Sequence, residues 1–99
     1  MDQYVIIAGD SGVYSGWLAG GAEAVGADGR VVVRDARHLR RYTVAGRSGD
    51  GSAADLARLG LDPSSRSVTL PLPGASVLLG VRRVFPVAAE ALESFGVAP

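Results

Sequence analysis

The chain has 99 residues, of which 47% are hydrophobic and 20% charged, and it contains no cysteine. That balance describes one ordinary globular domain over residues 1–99 and excludes disulfides, thiolate metal sites and cysteine nucleophiles. Ten basic residues offset ten acidic ones, so whole-molecule attraction to nucleic acid or to an anionic membrane is not expected to drive binding, and any anion must be held locally.

Every basic side chain is an arginine. Schiff-base chemistry and a phosphate-loop lysine are therefore excluded. A GC-rich genome accounts for that usage, yet its physical consequence stands: the guanidinium presents a planar fork of donors that grips phosphate or carboxylate bidentately. The start, Met1-Asp2-Gln3-Tyr4-Val5-Ile6-Ile7, lacks the basic segment of a signal peptide, and the uncharged stretch Ser67 to Val81 is too short for a bilayer and carries Pro71, Pro73 and Gly74. The expected location is the cytoplasm, with no membrane span.

Turn formers recur every eight to twelve residues, the spacing of short antiparallel strands. Tyr4 to Ala8 is a β-branched apolar run that Gly9-Asp10-Ser11-Gly12 returns into Val13 to Leu18, which predicts a hairpin. Gly16, between two aromatics, signals a sharp bend or a close backbone approach. A weakly patterned connection follows, with Asp28-Gly29 as a turn before the strand Arg30 to Asp35. From Ala36 to Val44 a turn followed by a strand competes with one helical turn pairing Leu39 and Tyr42, and the turn and strand fit better.

After the glycine-rich segment Ala45 to Gly51, Ser52 reads as an N-cap and Gly60 as a C-terminal stop, predicting a two-turn helix. Arg66 to Leu72 alternates apolar residues, and Pro71 makes it an edge strand. Ser76 to Phe85 reads as a strand open to interruption at Gly80, and Pro86 can occupy the first turn of a closing helix over Val87 to Ser94. The predicted fold class is α+β: a small antiparallel β-sheet or partial barrel with two short helices, near 52–59 and 87–95.

His38 is the only side chain that ordinarily titrates near neutrality, a thin basis for general base catalysis, and no serine-elbow or zinc-helix motif is present. No catalytic residue, metal site or cofactor is expected. The informative stretch is Arg34 to Ser52, where Arg34, Arg37, His38, Arg40, Arg41 and Arg47 crowd together and this basic stretch meets a glycine-rich loop that opens onto a helix start. Backbone N–H groups at Gly51, Ser52 and Ala53 and the arginine forks are the parts of an anion site. The competing reading is a solvated loop, with Asp35 forming a local ion pair. Tyr14, Trp17 and Tyr42 can stack on a base or fill the core. Of Arg82 and Arg83, strand neighbours on opposite faces, one points to a partner or an acidic residue.

The segments Gly12-Val13-Tyr14-Ser15-Gly16-Trp17-Leu18, then Gly29-Arg30-Val31-Val32-Val33-Arg34-Asp35-Ala36-Arg37-His38-Leu39, then Ala53-Ala54-Asp55-Leu56-Ala57 with Gly60, then Val84-Phe85-Pro86-Val87 resemble a small phage and prophage family whose domain has no assigned function. The resemblance spans about Tyr4 to Phe95 and implies phage origin, a sheet-rich fold and no recorded catalysis. By analogy of class, small phage proteins of this kind include sponges that sequester nucleotide-derived immune signals in the infected bacterial host. The sequence thus leads to a non-catalytic anti-defence accessory protein, a homo-oligomer, that holds a nucleotide or ADP-ribose-derived ligand through Arg37, Arg40, Arg41, Tyr42, Arg47, Gly51 and Ser52. A structural or protein-interaction module is the alternative, and hydrolysis with His38 as base the third reading.

Overall fold

The computed structural model describes residues 2–21, 25–26, 29–46, 52–62, 68–72 and 74–97. The apolar run near the start forms β1 (Asp2–Gly9) and returns as β2 (Gly12–Ala19), in unbroken antiparallel register from Asp2↔Ala19 to Gly9↔Gly12. The predicted hairpin is present. β3 (Val31–Arg41) pairs with β2, and β4 (Val68–Pro71) and β5 (Ala75–Leu78) follow one another along its other side. β6 (Val81–Pro86) pairs with the free side of β1. The result is an open six-stranded antiparallel sheet whose main path runs β4-β3-β2-β1-β6.

Two features of β3 correct the sequence reading. The stretch from Val31 to Arg41 is one strand, not a strand, a turn and a second strand. Arg34 to Arg37 advances three residues while its partner segment, Trp17 to Ser15, advances two, so one extra residue is absorbed as a β-bulge. Asp35 sits there at φ 52, a left-handed conformation that aspartate tolerates better than most residues. The bulge needs room on the neighbouring strand, and Gly16 provides it: a Cβ there would collide with Val33 Cγ1 and lie 3.1 Å from Ala36 Cα. The close backbone approach expected at Gly16 is real.

The interruption at Gly80 is also present, with φ 69. It lets the chain leave β5 on one side of the sheet and enter β6 on the other, which curls the sheet without closing it. Pro71 lies in the edge strand β4, as its missing N–H requires. The helix α1 (Ala53–Leu59) has the predicted caps: the Ser52 hydroxyl accepts from the Asp55 N–H, and the Gly60 N–H donates to the Leu56 carbonyl. The closing helix is a 3₁₀ helix, Ala89–Phe95, and starts later than the sequence suggests. Pro86 is the last residue of β6, and the N–H groups of Val87 and Ala88 donate to the carbonyls of Tyr4 and Ala57, which holds them extended until Ala89. Both helices belong to the α+β fold expected, and among the described residues no helix is long and apolar enough to cross a membrane.

The strand alternation gives the sheet two apolar faces. Tyr4 and Ile6 join Leu39, Val44, Leu56, Ala57, Ala91 and Phe95 in a core beneath the two helices. Val5 and Ile7 join Leu18, Val31, Val33, Ala36, Leu78 and Val81 in a second core inside the curl. Val5, Ile6 and Ile7 are fully buried because β1 is flanked by β2 and β6 and covered on both faces.

Candidate functional site

The bulge decides where the side chains of β3 point. Val33 and Ala36 both enter the second core, so Arg34 and Arg37 face the other way, opposite Trp17 and Ser15. There Asp35, Arg37, Trp17 and Tyr4 line a cleft of about 350 Å³, together with Phe95, Gly96 and Val97 at the end of the 3₁₀ helix. A Cβ built on Gly96 would lie 3.9 Å from Arg37 Nη2, so the guanidinium reaches across to the end of that helix.

Tyr4 is buried, with its ring centroid 5.3 Å from Trp17 in an edge-to-face arrangement and 5.8 Å from Phe95. Its hydroxyl donates to Ser15 Oγ at 3.0 Å, which gives a partner to the one buried polar side chain among the described residues. Burial pushes the Tyr4 phenol above its ordinary pKa; the Ser15 hydrogen bond and the Arg37 charge pull it back, and the Asp35 charge pushes it further up. Both charges are thus felt at the cleft floor. At the rim Arg34 pairs with Asp2 at 2.8 Å, and its contact with Asp35 is long, at 3.9 Å. Among the described residues the Asp35 carboxylate has no closer ion pair, and Arg37 has none.

The residues expected to bind an anion are placed as follows. Arg37 lines the cleft. Arg40 and Arg41 are exposed where the register with β4 shifts between Leu39 and Arg41, further along the strand. Tyr42 is half-buried and packs against the core beneath the helices, so it fills space there. Ser52 uses its hydroxyl to cap α1, and the first turn of that helix carries Asp55, bound to Arg58 at 3.1 Å. Arg47 and Gly51 lie outside the described residues. Trp17, Tyr4, Asp35 and Phe95 complete the cleft. Trp17 was visible as a stacking candidate, but nothing local to the sequence puts it on the face of Arg37; the bulged register of β2 and β3, with Trp17 opposite Arg34 and Ser15 opposite Arg37, does.

His38 faces away from the cleft, because it alternates with Arg37 along a regular stretch of β3. It stacks on Tyr14, with centroids 4.5 Å apart and planes 17° from parallel. Of the second arginine pair, Arg82 meets Asp10, and both Arg82 and Arg83 are exposed. Among the described residues no three histidine, aspartate or glutamate side chains group as a metal site. No protein-family model matches the chain, and no curated protein and no solved structure matches it.

Proposed function

We propose that this protein is a non-catalytic binding protein for a small ligand that carries a planar ring and a phosphate, of the kind a phage accessory protein would sequester from a nucleotide-based host defence. The observation that carries the reading is Arg37, a guanidinium without an ion-pair partner among the described residues, set in one cleft with the rings of Tyr4, Trp17 and Phe95. A fork of donors recognises phosphate, and an aromatic wall recognises a ring. At about 350 Å³ the cleft is at the small end of ligand sites, which favours a mononucleotide-sized ligand over a larger ADP-ribose-type molecule. Binding of this kind requires no general base, and His38 projects from the opposite face.

Thermal unfolding against a panel of nucleotides tests the proposal. A ligand at a hundred times its dissociation constant adds about 2.7 kcal/mol of stability, and Arg37→Ala should abolish most of the shift. A panel without any stabilising compound, or a shift unchanged by Arg37→Ala, overturns it. Recovery of the ligand intact after incubation is expected; conversion would make the protein an enzyme.

A second reading, an interaction module that self-associates, is favoured by one observation. Val32 and Val77 face each other across β3 and β5 and are 52% and 50% exposed, beside Leu79 at 66%. Exposed apolar side chains on an edge strand invite pairing. Light scattering over a range of concentrations tests this surface: a mass above one chain that Val77→Lys returns to one chain supports self-association through it, and nucleotide binding, tested above, is what separates the two readings.

A further inference from the structure

The cleft holds two opposite charges, and this limits what phosphate compound it can take. Arg37 attracts phosphate, but Asp35, two residues earlier on the same strand and on the same cleft wall, repels it. The Asp35 side chain is 73% exposed and only distantly balanced by Arg34, so its charge is not neutralised in place. A bare phosphate therefore gains at one end of the cleft and loses at the other. A ligand that suits both ends offers an anion to Arg37 and hydrogen-bond donors to Asp35.

We infer that the cleft selects ribonucleotides over deoxyribonucleotides, with the Asp35 carboxylate accepting from the vicinal ribose hydroxyls of a nucleoside 5′-monophosphate whose phosphate meets Arg37. This rests on the ligand reading above. Asp35 and Arg37 line the same cleft, so a single ligand that carries a ribose diol and its own 5′-phosphate can meet both. The base then lies against Trp17, which is half-buried in the wall. A carboxylate that accepts two hydroxyls in a bidentate manner makes charge-assisted hydrogen bonds, stronger than neutral ones. Removing the 2′-hydroxyl withdraws one of them.

Calorimetric titration of the full chain with the four ribonucleoside 5′-monophosphates, their 2′-deoxy counterparts and inorganic phosphate is the test. At least one ribonucleotide should bind about tenfold or more tightly than its deoxy form, with inorganic phosphate weaker than both. Asn is as tolerant as Asp of the left-handed backbone at this position, so Asp35→Asn should fold normally and bring the ribo and deoxy affinities together. It should also improve binding of inorganic phosphate, because the repulsion is gone. Equal affinity for the ribo and deoxy forms in the unaltered protein overturns the inference while the ligand reading stands, as does a ratio that Asp35→Asn leaves unchanged. Binding that Arg37→Ala does not weaken, or the absence of any nucleotide binding, overturns both.

Discussion

Gly16 shows how one residue without a side chain sets the geometry of the candidate site. The bulge at Asp35 turns Arg34 and Arg37 toward the Trp17 side of the sheet, and it fits only because the neighbouring strand has no Cβ at Gly16. Gly16 itself has no left-handed φ, so the penalty for a larger residue is contact rather than backbone strain. An added methyl would press on Val33 and on the backbone at Ala36 and Arg34, groups that cannot rotate aside. Gly16→Ala is expected to destabilise the fold by about 1–3 kcal/mol, the range for overpacking a well-filled core. Urea denaturation measures this, and a loss within experimental error would mean that the bulge relaxes freely. Asp35 itself was legible as a charged residue ahead of an arginine run, but not as a bulge. The structure shows the irregularity in its burial: Val33 and Ala36, three residues apart, enter the same core, where a regular strand puts residues two apart on one face.

Among the elements, the helices depend on side-chain hydrogen bonds at their ends. The Ser94 hydroxyl accepts from the Leu61 N–H at 2.9 Å and donates to the Ala91 carbonyl at 2.7 Å. It thereby ties the 3₁₀ helix to the exit of α1, next to the Val44↔Leu61 bridge. The approach is close, since any Cβ on Gly60, which has φ 85, would collide with Ser94 Oγ. Ser94→Ala should cost about 1 kcal/mol, the net worth of a typical hydrogen bond. The specific sign would be faster hydrogen exchange at Leu61, with the β1–β2 amides protected as before; unchanged exchange at Leu61 would show that water replaces the hydroxyl at no cost. Elements with local signals were legible: the hairpin from its turn cluster, α1 from Ser52 and Gly60, the edge strand from Pro71. The delayed start of the 3₁₀ helix was not, because the bonds that hold Val87 and Ala88 extended come from Tyr4 and Ala57, far away in the chain. The cleft was hidden for the same reason. Its walls come from β1, β2, β3 and the 3₁₀ helix, and only the assembled sheet brings them together.

At the scale of the whole molecule, Tyr4 links stability to the site, because the same phenol floors the cleft and joins the core beneath the helices. Its native pKa is raised above 10.0, with burial as the largest cause. In the unfolded chain the phenol is solvated and titrates near its ordinary value. Below that value both states hold the proton, and Tyr4 contributes its full stabilisation. Above it the unfolded chain gives up its proton first and so binds fewer protons than the native protein. By linkage, stability falls as pH rises from about 10 through the raised native value. Tyr4→Phe removes this titration, and near neutral pH it also deprives the buried Ser15 of its donor, which costs about 1–2 kcal/mol. The unaltered protein should therefore be the more stable of the two at about pH 8, with its advantage shrinking as the pH passes about 10. Denaturation midpoints of both proteins measured across that interval decide the matter. Parallel curves would mean that the phenol ionises as readily in the fold as outside it, and that the floor of the cleft is open to water.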